Sequence, residues 1–429
     1  MYPQIPYDII LRHLPVLLSA LPALMAVCAA MVWLLRWRDF ALLASGTGGN
    51  RKKKTEASGA ETAPASVSTP LATASTPYIS IVVPSRNECQ QLQRTLDALL
   101  SQDYTGRFEV IVADQLSSDG TALLLKRMQT DNPRLRSTFV PESSRHIELR
   151  KLAVTLGVRA ARGEWVAVVN AGSVPYGAEW LTSLAGQLTP ARNLVMAYTN
   201  YDDDKSHRAH RIIYRRLAAQ AGLYRDWRGG RVTHCPSEGY AVRKSWFLQC
   251  GGFADSLSLP FGEEAIFAAR HAVAAETAVT LLRTARLIAP LPGRREWRSL
   301  CVEHAETRRH LGRVSRLPRM RHTVATCFFW LFYAAFCLFA AGRVAQCLAE
   351  GCYAPDWRLS LDSAVLLVLI LWHAAPLCAL RRCCDALDER RYHLTPFTSS
   401  LARPLRSLAT ECRRYRHRRD FVRKYMRHE

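Results

Sequence analysis

Paired Cys-x-x-Cys knuckles are missing from this 429-residue chain, so its 13 cysteines do not read as a zinc module. They are scattered, apart from the adjacent Cys383 and Cys384. Internal repeats are missing too. Acidic residues are scarce: 36 Asp and Glu stand against 58 Lys and Arg, a formal charge of +22. Such an excess points to nucleic acid or to an anionic membrane surface. With no zinc module and no aromatic-basic RNA motif beside the charge, nucleic acid is set aside as a partner. No small-residue cleavage site follows the first apolar stretch, which is also too long for a signal peptide and carries its strongest basic flank after it. It reads as a retained helix.

What the chain does have is long hydrophobic runs. Three of them, read as transmembrane helices over 13–36, 321–345 and 363–380, meet or approach the length that spans a bilayer. The second carries one late arginine and the third His373. Basic residues set the orientation. RWRDF and RKKK follow the first run, whereas only Arg12 precedes it. The 346–362 segment is slightly acidic, with Glu350, Asp356 and Asp362 against Arg358, and the 381–429 tail contains ECRRYRHRRDFVRKYMRH. The positive-inside rule puts residues 1–12 and 346–362 outside and the large middle region and tail in the cytoplasm. Tail arginines beside a span are each drawn to anionic lipid by about 1 kcal/mol. Cysteines in the cytoplasm or within spans are expected as reduced thiols.

Between the first two spans the texture changes once. Residues 37–77 read as a flexible linker, because 45–77 are rich in Ser, Thr, Ala, Gly and Pro and cannot bury a core. From Tyr78 to about 320, apolar strands alternate with helices: YISIVVP, then an amphipathic helix with Leu92, Leu96, Leu99 and Leu100 on one face, FEVIVAD, a helix opened by a polar cap, KLAVTLGVRAAR as a third helix, and EWVAVVN. That alternation predicts an α/β domain, a mostly parallel sheet covered by helices on both faces. Ligands on such sheets bind beyond the carboxyl ends of the strands. Those ends hold Pro84 to Glu88, Asp114 to Asp119, and Asn170 to Ser173.

In order along 78–313, these segments resemble the family 2 glycosyltransferases, inverting enzymes of the GT-A fold. ISIVVPSRNE is similar to that family's first strand and nucleotide-contacting loop, and VIVADQLSSDGT to its VIVVDDGSTDGT, with Asp114 on the first aspartate and Gln115 on the second. KLAVTLGVRAARGEWVAVVNAGSVP resembles the approach to the family's metal-holding Asp-x-Asp, but here Asn170 and Gly172 stand where the acids would be. SEGYAVRKSWFLQCGGF resembles the acceptor-side strand and helix, FGEEAIFAAR the motif that supplies the base, and EWRSLCVEHAETRRHL the basic segment that closes the site. The resemblance implies a membrane-anchored enzyme, of a bacterial inner membrane, that uses a cytoplasmic nucleotide sugar on a glycan or lipid-linked acceptor. It places nucleotide-sugar contacts at Pro84, Arg86, Asn87, Glu88, Asp114, Lys151 and Asn170, the catalytic base at Glu264, and a diphosphate clamp at Arg308, Arg309 and His310.

Each assignment has a plainer counterpart. Asp114 is either a nucleotide contact or a turn acid after a strand. Glu264 sits beside Glu263, which suits a helix start. The Arg308–His310 cluster is either a clamp or membrane-flanking charge. The YDDDK segment at 201–205 is either a solvated loop or a substitute metal site. Hard cations such as Mg²⁺ or Mn²⁺ prefer anionic oxygen. The family's metal is therefore either weakly held here or replaced, with Lys151, Arg308 and Arg309 as candidate cations. The alternative to an enzyme is a catalytically impaired scaffold that binds nucleotide or a partner protein. Only three spans argue against a processive synthase with its own polymer channel.

Overall fold

A computed structural model of the chain describes residues 7–55, 76–141, 149–202, 206–256, 259, 262–311, 316–350, 356–390 and 395–425. Its helices are α1 (Tyr7–Val32), α2 (Arg38–Thr55), α3 (Cys89–Leu100), α4 (Thr121–Asp131), α5 (Leu149–Ala160), α6 (Trp180–Ala185), α7 (His207–Arg228), α8 (Lys244–Gln249), α9 (Glu263–His271), α10 (Arg294–His310), α11 (Arg316–Glu350), α12 (Asp356–Leu387), α13 (Thr395–Leu401) and α14 (Arg403–Tyr425). The strands are β1 (Ile79–Ser85), β2 (Phe108–Asp114), β3 (Leu135–Phe139), β4 (Trp165–Val168), β5 (Val174–Pro175), β6 (Leu194–Ala197), β7 (Thr199–Tyr201), β8 (Tyr240–Arg243), β9 (Thr277–Thr280) and β10 (Leu287–Ala289). They fall into two compact units, Met1–Ala44 with Arg316–Arg403, and Ser45–Ser315 with Pro404–Glu429.

In the first unit, α1 packs along α11 and α12. Among the described residues three helices are long and apolar enough to cross a membrane: Leu18–Thr47, Met320–Leu348 and Ser360–Leu387. The first outruns its expected end, because a π-helical turn at Trp33–Trp37 carries α1 into α2. Residues 38–55 are thus helical where the sequence reads as the start of a tether; 56–75 lie outside the described residues. A wider turn diverts carbonyls from the regular ladder. Arg321 meets them, donating to the carbonyls of Leu35 at 2.7 Å and Leu34 at 2.9 Å while pairing with Asp39 at 2.9 Å. Arg343, the arginine late in the second apolar run, is held by both oxygens of Asp362 at 2.9 and 2.7 Å. Pairing of this kind is what lets a charge sit in or near a span.

The second unit is built on a seven-stranded sheet ordered β3-β2-β1-β4-β8-β6-β9, with β5-β10-β7 forming a smaller sheet. In the larger sheet every pair is parallel except the two made by β8. Alternation along β1 assigns the faces. Ile79, Ile81 and Val83 join Leu92, Leu96 and Leu99 of α3 in one core. Val82 points the other way, toward α5, where a Cβ on Gly157 would come within 2.5 Å of it. Both faces are covered, as the uniform burial of β1, β2 and β4 requires. β1 and β2 pair in a register that sets Ser85 opposite Asp114, so their carboxyl ends finish level. The site begins there.

Candidate active site

The loops that leave β1 and β2 are bound to each other. Asn87, at φ +53, donates its backbone N–H to Ser117 Oγ at 3.0 Å, and its side-chain oxygen accepts the N–H of Ser118 at 2.7 Å. The N–H of Cys89, opening α3, donates to Asp119 at 3.0 Å, while the other Asp119 oxygen accepts the N–H of Thr121 and so caps α4. Pro84 is buried and Arg86 and Asn87 are exposed, at the rim. Asp114 is 8 % exposed; its Oδ2 accepts the N–H of Ser117 at 3.3 Å, whereas its buried Oδ1 has no hydrogen-bond partner. A buried carboxylate oxygen left bare is costly unless something arrives to donate to it. The neighbouring Glu88 is pushed above the usual carboxylate range by burial and by the charges of Glu296 and Asp119, against the pull of Arg150.

The turn after β4 carries the two positions where acids are missing. Gly172 adopts φ +90, and a Cβ there would sit 3.1 Å from Pro290 Cγ. Its N–H donates to Thr95 Oγ1 at 2.9 Å, and Ser173 closes the turn with an N–H bond to the Asn170 carbonyl at 3.1 Å. The Ser173 hydroxyl donates to Glu238, which also meets Arg216 at 3.5 Å. Of YDDDK, Tyr201 ends β7 under the Arg216 guanidinium, 4.1 Å from the ring centre; Asp203, Asp204 and Lys205 lie outside the described residues.

Glu263 and Glu264 form the first turn of α9 and are both buried. One guanidinium gathers them. Arg150 Nε donates to Glu263 at 3.0 Å, Nη2 to Glu264 at 2.8 Å and to the Ser237 carbonyl at 2.6 Å, and Nη1 to Asn170 Oδ1 at 2.8 Å. Burial opposes the charge, but the carboxylates of Glu264 and Glu263 outweigh it and hold Arg150 above its ordinary pKa. Glu264 is raised to about 7, first by burial and then by Glu263, with Arg150 pulling the other way. Its far side meets an apolar pocket lined by Cys235, Tyr240, Phe253 and Phe267. A buried carboxyl poised near neutrality suits proton transfer.

Two expected cations are elsewhere. Lys151 is fully buried and its ammonium donates to the carbonyls of Ser256 and Leu259. One residue along a helix is a rotation of about 100°, so Lys151 points into the fold while Arg150 points at the strand ends. Arg309 turns to α14 and pairs with Glu411 at 3.2 Å; exposed on the last turn of α10, it belongs to the α10–α14 contact together with Arg414 and Glu306 at 2.9 Å. Arg308 and His310 are exposed at the same helix end, where Arg308 Nε reaches the His304 carbonyl at 3.3 Å. Arg150 and Glu238 were missed by the sequence reading. The doublet Arg150-Lys151 was a signal for the first, but only the phase of α5 tells which of the pair enters the site.

The model of the family described as Glycosyl transferase family 2 matches residues 80–251, from β1 through α8 and across both the Asp114 loop and the 170–173 turn. Over those residues the chain is similar to the family 2 glycosyltransferases. Glycosyltransferase AglE of Haloferax volcanii is 27 % identical over 110 residues, covering 25 % of this chain and 34 % of that protein. Uncharacterized protein y4gI of Sinorhizobium fredii is 27 % identical over 140 residues, covering 32 % of this chain and 15 % of the other. The chain therefore spans about a third of the length of the first of these curated relatives and less of the second. Among solved structures, a mannosyltransferase of Pyrobaculum calidifontis, in complex with GDP-Man and Mn²⁺, superposes with a TM-score of 0.50 at 19 % identity, covering 86 % of this chain and 98 % of its own. The fold of the second unit is GT-A.

Among the described residues, the two turn positions that would hold the family's divalent cation do not suit one. Asn170 offers one neutral oxygen, already accepting from Arg150, and Gly172 offers none. Glu263 and Glu264 are each ion-paired to Arg150, and Glu238 to Arg216. Among the described residues no group of three or more His, Cys, Asp or Glu is placed to hold a metal ion. Hard cations need anionic oxygens that are free to turn toward them.

Proposed function

We propose that the chain is a membrane-anchored, inverting hexosyltransferase that moves a sugar from a nucleoside diphosphate donor to a glycan or lipid-linked acceptor at the cytoplasmic face of its membrane. The observation that carries this reading is the bare Oδ1 of Asp114 at the level ends of β1 and β2. It is an acceptor aimed at a donor group such as a base N–H or a ribose hydroxyl. Around it, Asn87 and Glu88 line the rim of the nucleotide, and Asn170 the sugar side. The complex of the Pyrobaculum calidifontis protein with GDP-Man supports a hexose donor.

In the reaction, Glu264 takes the proton of the acceptor hydroxyl as its oxygen attacks the anomeric carbon. The new carbon–oxygen bond forms on the face opposite the breaking bond to the diphosphate, which inverts the centre and releases the nucleoside diphosphate. Glu264 then passes its proton to water. The arginine and lysine asymmetry supports a cytoplasmic domain, and the basic α14 supports contact with anionic lipid. One observation favours the second reading, a nucleotide-binding scaffold without transfer: the 170–173 turn has lost both acids and its glycine is locked at positive φ.

Replacing Asp114→Ala removes a charge-assisted hydrogen bond worth about 1.5–3 kcal/mol, so calorimetry should read a tenfold to hundredfold loss in affinity for UDP or GDP, roughly. Equal affinity in parent and variant would place the nucleotide elsewhere.

A further inference from the structure

We infer that the Arg150 guanidinium is the cation that receives the donor's diphosphate, in the place where the family's divalent metal would act. This rests on the donor site proposed above and adds to it the group that neutralises the leaving group.

Arg150 is placed by what it touches. Its partners are the residue at the first lost acid position, Asn170, and both glutamates at the start of α9. It also weighs on Glu88 in the β1 loop. A point in contact with the Asn170 turn and α9, and within electrostatic reach of the nucleotide rim, is where a diphosphate must lie between base and acceptor. An arginine has five N–H groups. Four are spent, on Glu263, Glu264, Asn170 and the Ser237 carbonyl. The fifth, on Nη1, has no acceptor among the described residues, and the side chain keeps 23 % of its surface exposed.

At the turn itself an amide and a glycine carry two negative charges fewer than an Asp-x-Asp pair, so less positive charge is needed there, and Arg150 is shared with Glu263 and Glu264. Gly172 explains why the exchange is fixed in the backbone: at φ +90, with Pro290 against it, the position does not welcome an aspartate. A guanidinium that is planar, permanently charged and already oriented by four bonds meets phosphate oxygens without reorganising. Lys151 could not do this, being consumed by two carbonyls.

The test is calorimetry of the full-length protein in detergent with UDP and with GDP, first in EDTA and then in Mn²⁺. The preferred nucleotide should bind the parent with the same affinity in both, within about twofold, and Arg150→Ala should bind it at least about tenfold more weakly in EDTA. Arg150→Ala leaves two buried glutamates without a counterion, so a companion variant, Arg150→Gln with Glu263→Gln, removes one charge of each sign and should show the same loss. Parent affinity that collapses in EDTA overturns this inference and leaves the donor site standing. Metal-independent binding that survives both substitutions also overturns it. If the parent binds neither nucleotide under either condition, the donor site itself falls and the inference with it.

Discussion

Two opposed pressures act on the carboxyl of Glu264. Burial and the adjacent Glu263 favour its protonated form, while Arg150 favours the ionised one, and the balance lies at about 7. Tyr240 and Cys235, the other titratable groups facing it, are both pushed well above their ordinary values by burial and by Glu264 itself, so they stay neutral near pH 7. A base must be ionised to work. Transfer should therefore show an acid limb, falling below about pH 7 as Glu264 takes up its proton. A limb near the ordinary carboxylate range, around 4.5, would mean that another acid is the base. Stability moves the opposite way. The folded protein holds this proton more tightly than the unfolded chain, so the associated stability is complete below about 4.5 and is lost as pH rises through about 7. Glu264→Gln should abolish the acid limb and lower the transfer rate by about 10²–10⁴-fold.

At the scale of the element, the decisive piece is the turn between β4 and β5. Asn170→Asp with Gly172→Asp restores the acids on paper, yet the second substitution places a Cβ at φ +90 and 3.1 Å from Pro290. The strain is about 1–3 kcal/mol, so thermal melting should drop by several degrees and titration should detect no tight Mn²⁺ uptake. Strong Mn²⁺ binding by this variant would show that the turn tolerates the family's geometry. The same turn marks how far sequence reasoning reaches. Continuous apolar runs such as ISIVVPS and the Leu92, Leu96, Leu99 spacing announced the parallel strands and the helix over them, since periodicity is a local property. So did the polar strand ends at Asp114 and Asn170. The positive φ of Gly172, and the choice between Arg150 and Lys151, depend on the angle at which α5 and the turn meet, and neighbouring letters do not encode it. The same holds for Arg309, whose partner Glu411 is 102 residues away.

At the scale of the whole molecule, three apolar helices accompany a GT-A domain, and a chain with net charge +22 places much of that excess near the ends of those helices. Part of the basic tail is spoken for: Arg414 is tied to Glu306 and Glu411 on the domain's own surface, which reduces what α14 offers to lipid. The composition predicted the helices and their flanking charge because both are sums over many residues. It did not predict that α1 continues through a π-helical turn into a helix running to Thr55, across the first part of the linker expected over 37–77. The central claim is that this assembly transfers sugar. The measurement that tests it most directly is release of nucleoside diphosphate by membranes containing the chain, supplied with UDP- and GDP-linked hexoses and read against membranes carrying Glu264→Gln. The parent should release it from one donor class and the variant none above background. Tight nucleotide binding with no release from either donor class would contradict that claim and leave a scaffold in its place.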